Sequence, residues 1–220
     1  MDTIKISAKN LGAIAMPDFC PRCFWIKLKT AKLPWQIFPG IFSSIDAYTK
    51  HCVHAAIKTA AWLGQLGEIV SFQKVKKAEV HDTATDIILS GIPDDILICA
   101  DGSAVIPDYK TAKHTDNQDK LYPMYEGQMN SYARIYDQEA RLFLVYMSPV
   151  TDEETARENV NTGGFKLPFV ASPVPVKNDP AIIDRLLEKT REIYEMPEAP
   201  AGNGGCKDCE ALDNIIGLIR

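Results

Sequence analysis

The 220-residue chain lacks both a long apolar stretch and an excess of basic charge. No run approaches the ~18 consecutive apolar residues that a membrane-spanning helix needs, so we predict no transmembrane segment. Residues 1–14 contain neither the basic start nor the apolar core of a signal peptide, and we therefore expect a cytoplasmic protein. The formal net charge of −5 is unusual for a protein that binds nucleic acid through a uniformly basic surface.

The sequence also lacks a GxxxxGK[ST] motif, so we expect no nucleotide-driven motor within this chain. It contains no internal repeat. Its length suits a single domain over residues 1–220, and its 46% hydrophobic and 24% charged residues are ordinary for a globular protein. These bulk properties leave the kind of activity open, so the motifs have to decide it.

Cysteine is present in an uneven pattern. Four of the six cysteines form two CxxC pairs near the two ends of the chain: Cys20, Cys23, Cys206 and Cys209. Without a secretory signal, disulfides are not expected. Four thiolates suit a tetrahedral Zn²⁺ ion or an iron–sulfur cluster, and four free thiols are the remaining alternative. Cys52 and Cys99 stand alone in apolar surroundings, so we predict that both are core residues.

The hydrophobic pattern predicts helices before, between and after a meander of strands. The helices are predicted over Asp18–Thr30, Ser43–Leu63, Asp119–Asp137 and Asp179–Tyr194, and a loop over Leu33–Gly40. The strands are predicted over Val70–Val80, Asp86–Ser90, Ile96–Ala100, Ala104–Tyr109 and Arg141–Ser148, with a further pair in Asn161–Pro175. This order is typical of an α/β fold in which a mixed sheet carries helices on its faces.

Two carboxylates and a lysine could share one site on this sheet. Asp108 and Lys110 are two residues apart on a predicted strand, so they point to the same face. Asp94 lies one hairpin earlier, and its strand can be a neighbour in the sheet. Carboxylate oxygens suit Mg²⁺, which can generate a nucleophile for phosphodiester hydrolysis. Since DxK triplets are common, a hairpin with a surface carboxylate and lysine is the alternative.

Two flanking helices add polar pairs at helical spacing. Gln128 and Tyr132 are i and i+4 on the helix that follows the lysine, so they share a face. His51 and His54 are i and i+3 on the helix that precedes the strands. The alternatives are an ordinary amphipathic helix for the first pair and a partly buried imidazole for either histidine.

The order His, GxxD, DxK and QxxxY over Ser43–Tyr136 resembles the RecB-like exonuclease branch of the PD-(D/E)XK nuclease superfamily. The matching stretches are HCVHAAI, GIPDDIL, VIPDYKTAK and GQMNSYARIY. The cysteine-bearing ends resemble the CRISPR-associated stand-alone members of that branch and the AddB nuclease domain. The resemblance implies a restriction-endonuclease-like mixed sheet flanked by helices. It also implies a metal-dependent DNA nuclease, an exonuclease on single-stranded ends. The alternative is a DNA-binding accessory module of the same fold that cleaves weakly or not at all.

The resemblance implies a role for each motif residue. His54, Asp94, Asp108 and the backbone carbonyl of Tyr109 would hold Mg²⁺ or Mn²⁺. The choice between His51 and His54 stays open, because the glycine often found four residues before the histidine is a lysine here. Many relatives carry glutamate at the position of Asp108, and the shorter aspartate can still bind a metal.

Three further residues take roles from the same resemblance. Lys110 would be the catalytic lysine. Gln128 would position active-site groups or DNA, and Tyr132 would support it. Single-stranded DNA is the implied partner, with a separate helicase or CRISPR-integration proteins as further partners.

In the family that the chain resembles, one N-terminal and three C-terminal cysteines hold a [4Fe–4S] cluster that joins the chain ends. This sequence has two and two, so Cys23 would have to replace the missing C-terminal ligand. We therefore predict one centre built from segments 17–30 and 200–215, with [4Fe–4S] favoured over Zn²⁺.

Overall fold

The structure, a computed structural model, describes residues 2–30, 40–113, 120–136 and 139–219. It is a mixed α/β fold with seven helices and ten strands in these ranges. The strands are β1 (Ile4–Ser7), β2 (Ile69–Gln73), β3 (Ala78–Asp82), β4 (Ile87–Gly91), β5 (Ile96–Cys99), β6 (Ala104–Lys110), β7 (Arg141–Pro149), β8 (Val160–Asn161), β9 (Gly164–Phe165) and β10 (Phe169–Val176). The helices are α1 (Ala8–Gly12), α2 (Pro21–Thr30), α3 (Gly40–Ala56), α4 (Tyr122–Tyr136), α5 (Glu153–Asn159), α6 (Pro180–Glu195) and α7 (Lys207–Ile219).

A five-stranded sheet with the order β10-β7-β6-β5-β2 forms the centre of the fold. Its strands pair antiparallel except β6 and β7, which are parallel. A parallel pair needs a crossover connection, and α4 lies in the chain between these two strands. β6 pairs with β7 along Val105–Lys110, which places Asp108 opposite Leu144, and with β5 at Ala104 and Val105.

The two faces of β6 pack against different helices. On one face, Ile106 belongs to a core cluster with Met129 and Tyr132 of α4. On the other, Val105 and Tyr109 belong to a cluster that also contains Val53 of α3. Successive residues of a strand point to opposite faces, so the even-numbered side chains of β6 face α4 and the odd-numbered ones face α3.

A second, three-stranded sheet has the order β1-β4-β3 and packs with α1 and α6. The prediction of a mixed α/β fold with helices on its sheet is confirmed, but the strands divide between separate sheets. The strand predicted over Val70–Val80 is interrupted at residues 74–77, and its halves β2 and β3 join different sheets. β1 and α1 were not predicted, because four and five residues are too short for a recognisable hydrophobic period.

Most other predicted elements are confirmed with shifted ends. The helix predicted over Ser43–Leu63 ends at Ala56, and a short 3₁₀ helix follows at Ala61–Gln65. The ends predicted at Asp119 and Asp137 lie outside the described residues, as does the predicted loop 33–40 except Gly40, where α3 begins. Among the described residues, no helix is long and apolar enough to cross a membrane.

Candidate active site

The face of β6 that packs against α4 carries a buried carboxylate and its cation. The side chains of Asp108 and Lys110 are only 5% and 16% exposed, and the Lys110 ammonium pairs with Asp108 Oδ2. Burial raises the pKa of Asp108; the charge of Lys110 opposes this shift and the charge of Asp94 adds to it. Oδ2 is buried, and this ion pair with Lys110 is the contact it makes. An ionised carboxylate has several lone pairs, so Asp108 can still bind a cation beside the ammonium.

Helix α4 closes over this pair with a glutamine and two tyrosines. Gln128 Nε2 donates to Asp108 Oδ1 at 3.3 Å and to the Tyr132 hydroxyl at 2.8 Å. Lys110 Nζ donates to Gln128 Oε1 at 3.4 Å and lies 4.0 Å from the centre of the Tyr125 ring. The structure thus brings the DxK and QxxxY residues into one contact network.

Asp94 reaches the same strand from a loop. It lies on the connection between β4 and β5, so it is not on a strand, and β4 belongs to the other sheet. The backbone N–H of Tyr109 donates to Asp94 Oδ2 at 2.8 Å, which fixes Asp94 beside β6. Its Oδ1 pairs with Lys50 Nζ at 2.8 Å. Burial alone would lower the pKa of Lys50. The hydrogen bonds to Asp94 and Asp46 have the larger effect, so the pKa of Lys50 is raised.

His54 contacts the residue after the predicted ligand. Its Nε2 lies 2.7 Å from Asp95 Oδ1, and the Tyr109 hydroxyl donates to Asp95 Oδ2 at 2.9 Å. Asp95 is 2% exposed, and burial raises its pKa against the opposing effect of these two hydrogen bonds. The His54 ring stacks on Phe72 with 3.7 Å between the ring centres. Of the two candidate histidines, His51 is exposed, so it is His54 that the structure ties to the sheet.

The contacts of His54 and those of Asp108 lie on opposite faces of β6. Asp95 and Tyr109 face α3, whereas Asp108 and Lys110 face α4. Asp94 lies on the β4–β5 loop, where Lys50 of α3 pairs with it. Asp95 and Lys50 were missed as site residues from sequence. Two features of the sequence could have indicated them: the two consecutive aspartates in GIPDDIL, and the i, i+4 spacing of Lys50 and His54 on one helix.

A family model of the PD-(D/E)XK nuclease superfamily matches residues 37–213. The chain belongs to this superfamily. A solved structure described as the crystal structure of SSO0001 is similar at 13% identity and a TM-score of 0.49, with 90% of this chain and 80% of that chain covered. No curated protein matches the sequence. The RecB-like branch and the CRISPR association stay predictions.

The residues at β6 fit the divalent cation that superfamily members use. Asp94 and Asp108 offer hard carboxylate oxygens of the kind that Mg²⁺ binds. Each carboxylate has a lysine ammonium against it, Lys50 on the first and Lys110 on the second. In the described parts of the chain, only the CxxC cysteines form a group of three or more ligand residues with all ligand atoms within 4.8 Å. The ligand atoms of His54, Asp94 and Asp108 therefore do not all lie within 4.8 Å of one another.

The two CxxC pairs meet at the starts of α2 and α7, so the predicted joining of the chain ends is confirmed. Cys20 and Cys209 are buried, and Cys23 and Cys206 are partly buried. Burial opposes ionisation of Cys20, but backbone N–H groups of Cys23 and Asn203 outweigh it and lower its pKa to about 7. Arg22 and Asp213 form a two-pronged ion pair between the same helices at 2.9 and 2.6 Å.

The two remaining cysteines differ from each other. Cys99 is 3% exposed and packs in the core beside α3, as predicted. Cys52 is exposed, so its prediction as a core residue was wrong. It lies on α3 one residue before the buried Val53, and neighbouring positions on a helix point in different directions.

Proposed function

We propose that this chain hydrolyses DNA phosphodiester bonds with Mg²⁺ or Mn²⁺. The observation that carries the proposal is the contact network of Asp108, Lys110 and Gln128, in which a buried carboxylate is held by a lysine ammonium and a glutamine amide. A carboxylate buried beside a lysine costs free energy and needs a compensating role. Membership of a nuclease superfamily makes phosphodiester hydrolysis that role.

Asp94 and Asp108 would hold the cation through their carboxylate oxygens. The resemblance also implies His54 and the Tyr109 carbonyl as ligands; of these, His54 contacts Asp95 on the opposite face of β6 from Asp108. When bound, Mg²⁺ or Mn²⁺ offsets charge on a phosphate oxygen and lowers the pKa of water. The protein supplies the rest of the chemistry. The hydrogen bond from the Tyr109 N–H to Asp94 and that from Gln128 to Asp108 fix the carboxylates before substrate arrives.

Lys110 is the chain's own cation at this site. Its ammonium is held by Asp108, Gln128 and the Tyr125 ring, and its side chain is only 16% exposed. Water screens a charge less in such a place, so the ammonium can stabilise negative charge that develops on the phosphate during hydrolysis. It can also orient an attacking water by hydrogen bonding. Gln128 keeps the ammonium aligned, and Tyr132 keeps Gln128 aligned.

Asp95 positions His54, and we expect the loss of this contact to raise the Mn²⁺ concentration that DNA cleavage requires. Each oxygen of Asp95 contacts one partner, His54 or Tyr109; in Asp95→Asn one oxygen becomes an NH₂ group, which cannot accept, so a single acceptor is left for the two partners. Loss of such an orienting partner typically costs about 10- to 100-fold in metal affinity or activity. The measurement is the Mn²⁺ concentration that gives half-maximal DNA cleavage. Asp101→Asn, at the exposed β5–β6 turn, is the matched control. An unchanged Mn²⁺ requirement in folded Asp95→Asn would show that His54 needs no positioning by Asp95.

The finer proposal is an exonuclease on single-stranded ends, and its support is the order of the four motifs. The test compares linear and circular single-stranded DNA of the same sequence, together with a blunt duplex. We expect linear single strands to be degraded, circles to stay intact and the duplex to be cut more slowly. Equal cutting of circles would indicate an endonuclease. Binding of all three substrates without cleavage would indicate the accessory DNA-binding module.

The four cysteines are proposed to hold a metal centre that joins α2 to α7. The [4Fe–4S] cluster and Zn²⁺ are the two candidates from the sequence. A cytoplasmic location and a separate helicase or CRISPR-integration partner stay predictions.

A further inference from the structure

The four cysteine sulfurs lie close together around one point. Sγ of Cys23 is 3.4 Å from that of Cys209 and 3.6 Å from that of Cys206. Sγ of Cys20 is 3.5 Å from that of Cys209. All four sulfurs lie within 4.8 Å of one another. These distances are too long for disulfide bonds and describe a small, compact group of thiols.

The spacing matches a single tetrahedral ion. Zinc binds thiolate sulfur at about 2.3 Å, so four sulfurs at the corners of a tetrahedron around one zinc lie about 3.8 Å apart. Three of the separations, at 3.4 to 3.6 Å, are within a few tenths of an ångström of that value. Two CxxC pairs are also a common ligand pattern of structural zinc sites.

The spacing does not fit a [4Fe–4S] cluster. In such a cluster each thiolate binds a different iron at the corner of a cube, so the sulfurs lie roughly 6 Å apart or more. The surroundings oppose such an expansion. A Cβ placed on Gly202 would lie only 2.7 Å from Cys209 Sγ, so the backbone already closes on this sulfur. The ion pair between Arg22 and Asp213 also bridges α2 and α7 at this separation.

The geometry points to one structural Zn²⁺ ion held by Cys20, Cys23, Cys206 and Cys209 in place of the iron–sulfur cluster that the resemblance implies. The site joins two segments that are 189 residues apart, so it closes most of the chain into a loop. Zinc loading is then linked to folding. The inference is independent of the proposed nuclease activity, because the site uses none of its residues.

The first test is the metal content of the unaltered full chain, purified anaerobically from medium that contains both iron and zinc. We expect about one zinc per chain, no acid-labile sulfide and a colourless protein. The same chain made in cobalt-supplemented, zinc-depleted medium should carry one Co²⁺ and show the visible absorption bands of tetrahedral cobalt thiolate. About four irons and four sulfides per chain, or no bound metal of any kind, would overturn the inference.

Substitution of one ligand separates the two metals further. Zinc accepts three cysteines and one histidine, whereas [4Fe–4S] clusters of this kind are held by four thiolates. We expect Cys206→His to retain about one zinc per chain, Cys206→Ala to lose most of it, and Cys52→Ala to keep it. If zinc content is equal in all three variants, the ion is not held by these cysteines. If the Cys206 variants do not fold, the cobalt spectrum of the unaltered chain decides.

Discussion

Asp108→Asn is expected to lower the rate of DNA cleavage by about 10³-fold and to leave the fold intact. Asparagine has the same shape but removes the negative charge that would hold a divalent cation at Asp108 Oδ2. A cation contributes several kcal/mol at such a site, and about 4 kcal/mol corresponds to a thousandfold in rate. The measurement is single-turnover cleavage of labelled single-stranded DNA, with Asp101→Asn as the control.

The stability of this variant follows from the electrostatics. Burial raises the pKa of Asp108 in the folded chain above its unfolded value. The neutral carboxyl therefore stabilises the folded state at low pH, relative to the ionised form. This contribution is lost as the pH rises from the unfolded pKa to the folded pKa, so at neutral pH the ionised Asp108 lowers the free energy of unfolding. Removing the charge should therefore not lower Tm. Cleavage at the unaltered rate by a folded Asp108→Asn would exclude Asp108 as a metal ligand.

Gly12→Ala is expected to lower the free energy of unfolding by about 3 kcal/mol, or roughly 10 °C in Tm. Gly12 has φ −57°, a conformation that alanine adopts freely, so backbone strain plays no part. The added Cβ would press into the Met124 carbonyl oxygen and lie 2.9 Å from the Gln128 nitrogen. Both groups are backbone atoms of α4, which cannot rotate away. Either α1 or α4 has to move.

The control for this variant is Gly217→Ala on α7, where an added Cβ meets no atom within 4 Å. Alanine there should leave stability unchanged or raise it by up to ~1 kcal/mol, because glycine is a poor helix residue. Because Gln128 is on α4, Gly12→Ala should also reduce cleavage. Equal unfolding curves for Gly12→Ala and the unaltered chain would show that α1 and α4 are farther apart at Gly12 than these distances indicate.

The sequence predicted those parts of the candidate site that depend on local periodicity. The two-residue spacing of Asp108 and Lys110 on a strand predicted a shared face, and so did the i, i+4 spacing of Gln128 and Tyr132 on a helix. In the structure the first two form an ion pair and the second two a hydrogen bond. That α4 would cover β6 could not be read from either spacing, because a parallel strand pair and its crossover are tertiary features.

The missed residues depend on contacts between distant segments. Asp95 is buried by His54, 41 residues earlier, and by Tyr109, 14 residues later. No local feature of the sequence distinguishes Asp95 from the preceding Asp94, which instead accepts from the Tyr109 N–H and pairs with Lys50. Likewise, two CxxC pairs predict a four-thiolate site, but the choice between one ion and a cluster rests on sulfur separations that only the folded chain defines.

The central claim is that this chain is a metal-dependent nuclease that acts through Asp94, Asp108 and Lys110. The most direct measurement is the release of labelled nucleotides from linear single-stranded DNA by the purified chain, in Mn²⁺ or Mg²⁺ and again with excess EDTA. We expect cleavage with either metal, none with EDTA, and recovery when metal is restored. Asp108→Asn made in parallel sets the background of contaminating nucleases. Cleavage that persists in EDTA, or that the Asp108→Asn preparation shows equally, would contradict the claim.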